Sequence, residues 1–257
     1  MSHPVRRVCP GFAVIATALL LAISFASPAL ASGGNEVVDE DTADFGFLEE
    51  IPAGNGFYST GPGTPPLGLS SVHFTVDDTG REIFGTDRFN GSRFDALGTL
   101  TYSAYRAFPI GGVLALSLQI NTDYDLTDGN VDWQGRLVYE PTNSGLTVLG
   151  QAWQTWDTLA GNWWASGAPG NTVCPQNDPC TWAEVLSNFP DAGVHVDLGA
   201  VLIKAGGPWT GGFWGAADAL NIDVDGQFTT FDFETNALIF TNGFETGDLT
   251  AWSESFP

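Results

Sequence analysis

From Leu114 to Leu126 the even positions read Leu, Leu, Leu, Ile, Thr, Tyr, Leu, and the odd positions from Ala115 read Ala, Ser, Gln, Asn, Asp, Asp. Side chains on a strand alternate between two faces, so a period of two over a dozen residues specifies a strand with one buried face. The same alternation returns from Val131 to Tyr139, where Val131, Trp133, Gly135, Leu137 and Tyr139 share a face. Between the runs lies Asp128-Gly129, the pair preferred by a two-residue hairpin turn. A turn there sets Leu126 against Val131, Asp125 against Asp132, Tyr124 against Trp133, Asp123 against Gln134 and Asn121 against Arg136. Apolar meets apolar and polar meets polar, which supports this register over a one-residue slip.

That register also crowds carboxylates. Asp125 and Asp132 face each other and Asp123 lies on the same face. Like charges across a ladder cost about a few tenths of a kcal/mol when solvated. Either water and salt screen them, with Arg136 nearby, or Asp123, Asp125 and Asp132 offer oxygens to a hard cation such as calcium. The segment is not an EF-hand loop, because its third Asp is displaced and the closing Glu is absent.

Elsewhere the chain repeats the same grammar. Strands are expected at Ser71–Val76, Gly98–Arg106, Val194–Gly206, Trp214–Gly226 and Gln227–Glu234, and a second Asp-Gly pair, Asp225-Gly226, joins the last two. With 32 Gly and 15 Pro punctuating short apolar runs, turns dominate over helices. The exception is Thr181–Asp191, where Thr181 and Glu184 form a capping box, Trp182, Val185, Leu186 and Phe189 share a face, and Pro190 ends the run. These elements predict an all-β fold, a jelly-roll-like β-sandwich with one short helix near 181–189.

The ends carry different information. Arg6 and Arg7, the apolar stretch Phe12–Ser24 and Ala29-x-Ala31 form an export signal over 1–31, giving a mature start at Ser32. Residues 32–44 are polar and acidic and read as a disordered lead-in, 45–235 as the sandwich, and 236–257 as a tail segment. No later apolar run suffices for a membrane helix, so no membrane insertion is expected after the signal. Beyond residue 31 there remain 8 − 2 = 6 basic residues against 30 acidic ones, a net of −24. Such a surface repels nucleic acid and anionic lipid. In an exported protein Cys174 and Cys180 are expected to form a disulfide, and with only His73 and His195 besides, a zinc site lacks ligands.

Tryptophan is the other anomaly: seven of nine lie between Trp153 and Trp214. Exposed indole faces stack on sugar rings, with amides and carboxylates serving the hydroxyls. Trp153, Trp156 and Trp182 suit a sandwich core. Trp163 and Trp164 follow Gly161-Asn162 and suit presentation by a loop, although neighbours on a strand would face opposite ways. Glu140 and Glu234 end predicted strands and are the best carboxylate pair for glycoside hydrolysis. No G-x-S-x-G or H-E-x-x-H motif accompanies them.

The segments "STGPGTPPLG", "LTYSAYR", "WQGRLVYEP", "WQTWDTLAGNWWASG" and "TWAEVLSNFPDAG" together resemble a group of uncharacterised secreted bacterial jelly-roll-like proteins. The ending "IFTNGFETGDLTAWS" resembles a GFExGD-type C-terminal segment recurrent on exported bacterial proteins. That resemblance implies export and a sandwich, and no catalytic residues. The sequence alone thus favours an exported, non-catalytic sandwich that binds an extracellular glycan or surface polymer through Trp163 and Trp164, with calcium as a candidate ion. A structural matrix protein without a small ligand and a glycosidase using Glu140 and Glu234 are the alternatives.

Overall fold

The structure is a computed structural model that describes residues 33–48, 52–109, 111–207, 209 and 211–236. The signal segment and the GFExGD-type ending lie outside the described residues. Among those residues the chain forms β1 (Asn35–Val38), β2 (Phe45–Leu48), β3 (Asn55–Thr60), β4 (Ser70–Val76), β5 (Arg81–Thr86), β6 (Leu97–Phe108), β7 (Ser117–Asp123) and β8 (Arg136–Tyr139). There follow β9 (Trp153–Asp157), β10 (Asn162–Ala165), β11 (Cys180–Thr181), β12 (Gly193–Val194), β13 (Val201–Gly206), β14 (Phe213–Val224) and β15 (Gln227–Phe233). A one-turn helix α1 (Gly170–Val173), which sequence reasoning did not anticipate, precedes the expected α2 (Trp182–Asn188).

Two sheets face each other. The first runs β1-β15-β14-β4-β3, with β6 on the other edge of β14 and β9 beyond β6. The second runs β11-β10-β8-β7-β13-β5-β2, and β12 pairs with the end of β7. Aromatic pairs seal the layer between them: Tyr102 and Tyr139 meet at 6.4 Å, Phe45 and Phe231 at 4.9 Å, and Phe84 and Phe233 at 5.0 Å. The predicted jelly-roll-like sandwich is therefore the fold, with its core drawn from the inward positions of both sheets.

The hairpin register holds and its length does not. Asn121 pairs with Arg136 and Ile120 with Leu137, as the alternation requires. Leu116, Leu118, Ile120, Leu137 and Tyr139 are fully buried. The β7–β8 ladder ends at the Asn121–Arg136 pair, however, and 124–135 is a loop rather than a two-residue turn. The reason is local competition: Asp123 accepts from the Asp125 N–H at 2.9 Å, Asp125 from that of Thr127 at 3.0 Å, Asp128 from that of Asn130 at 2.7 Å, and Asn130 from that of Asp132 at 3.0 Å. Successive Asx turns take up backbone donors that the ladder would have used.

The acidic lead-in is also corrected. Asn35–Val38 is a strand, paired parallel with β15, and Val38 is fully buried. Arg88 makes this possible: it bonds both carboxylate oxygens of Glu36 at 2.7 Å, reaches Asp44, and lies over the rings of Phe45 and Phe231 at 5.5 and 5.1 Å. One guanidinium thus neutralises two acids of the segment while covering core aromatics. The α2 start follows the sequence closely, with the Thr181 hydroxyl accepting from the Glu184 N–H at 3.3 Å and the Glu184 carboxylate accepting from the Thr181 N–H at 2.8 Å.

Candidate functional site

The three aspartates do not converge. Asp123 is buried, Asp125 half-buried and Asp132 exposed. Asp123 is occupied by the Asp125 amide and by the Gln134 side-chain amide at 3.1 Å. The Thr127 hydroxyl and N–H hold the Asp125 carboxyl below the usual aspartate range. Asp132 is tied through its main chain, its carbonyl accepting from His195 Nε2 at 3.2 Å while His195 Nδ1 accepts from the N–H groups of Asp197 and Leu198. Among the described residues no three His, Cys, Asp or Glu side chains group as metal ligands.

The adjacent tryptophans divide. Trp163 pairs with Tyr139 and points inward with no exposed surface, its ring 5.7 Å from Tyr139 and 5.4 Å from Trp182, and its Nε1–H donates to the Thr158 carbonyl. It cannot stack on a ligand, which corrects the expectation for that residue. Trp164, the next residue on β10, points outward and is half-buried. Of the three assigned to the core, Trp156 and Trp182 are buried there, and Trp153 is half-buried with its Nε1–H on the Pro62 carbonyl at 2.8 Å.

Around Trp164 lies a groove of about 460 Å³ on the outer face of the second sheet. Register explains its walls. Trp164 sits beside Val138, Val138 beside Gln119, and Gln119 beside Leu202, so the outward positions of β10, β8, β7 and β13 form one surface. Ser117, Gln119, Arg136, Val138, Glu140, Trp164, Ser166, Gln176, Lys204 and Trp209 line it. The alternation singled out Ser117 and Gln119 as a polar face. Their meeting with Trp164, Gln176 and Trp209 depends on pairings and loops remote in sequence.

The polar groups of the groove are mutually positioned. Gln119 Nε2 donates to the Ser117 hydroxyl at 2.9 Å. Arg136 Nε donates to Asn121 Oδ1 at 2.9 Å, and the guanidinium lies 5.5 Å from the exposed ring of Trp133. The Glu140 carboxylate accepts from Trp164 Nε1 at 3.2 Å and from Asn143 Nδ2 at 2.9 Å. Burial raises the Glu140 carboxyl above the ordinary glutamate value, opposed by hydrogen bonds from Trp164, Gln176 and Asn143. Cys174 and Cys180 form the expected disulfide, with Cα atoms 5.2 Å apart, and close the short loop that carries Gln176 into the groove. A second depression of about 450 Å³ lies farther along this face, lined by Phe45, Gly46, Gly85, Asn121 and Trp133.

Glu140 and Glu234 are not a pair. Glu140 is on the second sheet's groove, whereas Glu234 follows β15 of the first sheet and accepts from the N–H groups of Leu69 and Ser70 at 2.6 and 3.2 Å. Beside Glu234, Asp218 is fully buried, accepts from the N–H groups of Leu67 and Phe233, and is pushed by desolvation to about 6. These carboxylates fasten the loop 61–69 rather than face an open cleft.

No family model matches the chain, and no curated protein matches it. Among solved structures, the family 11 carbohydrate-binding module of the cellulosomal cellulase Lic26A-Cel5E of Clostridium thermocellum is similar over 79% of this chain and 98% of that module, at 10% identity and a TM-score of 0.40. A likeness at that level assigns neither ligand nor residue role to this chain.

Proposed function

We propose that this protein is an exported, non-catalytic carbohydrate-binding β-sandwich whose ligand lies in the Trp164 groove. The observation that carries the reading is the composition of that groove: two indoles, Trp164 and Trp209, stand beside amides, hydroxyls, a carboxylate and two cations in about 460 Å³. Sugar rings present apolar C–H faces and a rim of hydroxyls, which need an aromatic platform and nearby hydrogen-bond partners of both kinds. Export is supported by the disulfide, a bond that persists in oxidising compartments, and by the leader expected over 1–31.

A glycan array followed by titration calorimetry tests the reading. Binding of an oligosaccharide that falls at least about tenfold in Trp164→Ala, as loss of a stacking platform would cause, supports it. No binder above background on a broad array overturns it in favour of a matrix component. A calcium arm belongs in the same experiment. A melting temperature raised by calcium and not by equal ionic strength of sodium, with the rise lost in Asp125→Asn, would assign a cation to Asp123, Asp125 and Asp132; an unchanged one removes that role.

A further inference from the structure

We infer that a second site, on the outer face of the first sheet, takes a sugar chain bearing protonated amino groups. It is separate from the Trp164 groove and does not depend on it. Trp214 on β14 pairs with Thr75 on β4 and with Phe108 on β6, so the three stand in one row across adjacent strands. All three are exposed, Trp214 by 44% and Phe108 by 51%. Phe213, the preceding residue of β14, turns the other way: it is buried and packs on Trp209, with ring centroids 4.9 Å apart. Adjacent exposed aromatics form a continuous apolar patch, which marks an interaction surface more than a single exposed ring does. Trp214, Phe108 and Thr75 line a depression of about 660 Å³ together with Asp77 and Asp78. The turn at its rim carries no side chains. Gly211 and Gly212 take positive φ, 90° and 77°, and a Cβ on Gly212 would lie 2.9 Å from the Val76 carbonyl oxygen.

Charge selects the occupant. Among the described residues the charged side chains that line this depression are Asp77 and Asp78, both exposed. The Asp77 carboxylate is fixed in place by the N–H groups of Thr79 and Gly80 and by the Thr79 hydroxyl, at 2.8, 2.6 and 2.9 Å, and all three donate to Oδ1. An ammonium complements both kinds of wall, because carboxylates pair with it and an indole face attracts it. A sugar ring that carries the ammonium adds an apolar C–H face for the aromatic row and hydroxyls for Thr75 and the carboxylates. The row spans two inter-strand spacings, about 10 Å, which suits a ring lying flat and exceeds what a single lysine stem covers. With 30 acids against 8 − 2 = 6 bases beyond residue 31, the molecule attracts a polycation as a whole. At physiological salt that field is screened beyond about 8 Å, so the aromatics and carboxylates in contact with the ligand decide where it settles.

Titration calorimetry of the full mature chain at about pH 5.5, between the ordinary aspartate and amine values, compares a glucosamine tetramer with its neutral N-acetylated counterpart. The expected result is at least about tenfold tighter binding of the glucosamine tetramer, weakened at least about tenfold in Trp214→Ala and unchanged in Trp164→Ala. Asp78→Asn is expected to reduce the preference for the charged tetramer. Thermal melts identify any loss of folding, and Asp78→Asn, at an exposed position, carries the test should Trp214→Ala unfold. Equal affinity for both tetramers overturns the inference, as does binding of the glucosamine tetramer that survives both Trp214→Ala and Asp78→Asn. A tetralysine peptide bound as tightly, with the same dependence on Trp214, overturns it in favour of a basic peptide. Failure of the Trp164 groove on the glycan array leaves this site standing, and no binding of the glucosamine tetramer overturns this site whatever the array shows.

Discussion

Trp163 and Trp164 are neighbours with opposite fates, and the difference is measurable. Trp163 fills the space between Tyr139 and Trp182, so Trp163→Ala removes a fully buried indole and one of the two donors to the Thr158 carbonyl, leaving the Gly161 N–H. Its expected cost in urea unfolding is about 3–5 kcal/mol. Trp164→Ala, which truncates a half-buried side chain, is expected to cost under about 2 kcal/mol while weakening glycan binding at least about tenfold. A ranking in the opposite order would invert the assignment of inner and outer faces on β10. Asp218 makes a second residue-scale prediction. Its folded-state value of about 6 lies above the ordinary 3.8, because desolvation disfavours the charge. The native state therefore holds the proton more tightly than the unfolded chain, a preference of roughly 3 kcal/mol. That contribution is lost as pH rises through about 6 and regained as pH falls. Asp44, Asp77 and Asp95 are shifted downward by hydrogen bonds and act oppositely, but only near and below their ordinary value of 3.8. His73, whose imidazole burial holds below its ordinary 6.5, acts oppositely in the same window, so the Asp218 contribution is read as a difference: as pH falls from about 7 to about 4 the melting temperature of the parent should gain on that of Asp218→Asn.

Elements show what was readable in advance and what was not. Capping and hairpin chemistry act over three or four residues, so Thr181–Glu184 and Asp225-Gly226 are visible in the sequence. Asp225 and Gly226 both take positive φ, 53° and 77°, and Val224 pairs with Gln227 across them. The other Asp-Gly pair, Asp128-Gly129, fails as a two-residue turn because flanking Asx turns and the His195 tie to Asp132 compete with it, and His195 is remote in sequence. The groove was hidden for the same reason: the β7–β8 pairing was legible as a hairpin, but β10 meets β8 and β13 meets β7 through connections that periodicity does not describe. The disulfide loop offers an element-scale test, since it holds Gln176 at the groove. Replacing both cysteines by serine should cost about 2 kcal/mol of stability for so short a loop. It should also weaken glycan affinity beyond any effect of unfolding, read by calorimetry well below the melting temperature.

At the scale of the whole molecule the decisive quantity is charge. Six bases stand against 30 acids beyond residue 31. Among the described residues the salt bridges of Arg88 and Arg93 engage four acids: Glu36, Asp44, Asp95 and Asp191. Exposed pairs of this kind contribute about 0–1 kcal/mol each and weaken with salt. Repulsion among the acids that remain also weakens with salt, and the two effects have opposite signs. Because repelling acids far outnumber paired ones, raising sodium chloride from about 10 mM to about 200 mM, which shortens the screening length from about 30 to about 7 Å, should raise the melting temperature. A fall would mean that the Arg88 and Arg93 bridges outweigh the self-repulsion among the unpaired acids. Truncation of residues 32–40 separates these terms, because it removes the Glu36 partner and β1 together while leaving both sheets otherwise paired. The salt response should survive that truncation if repulsion drives it and vanish or reverse if the bridge does.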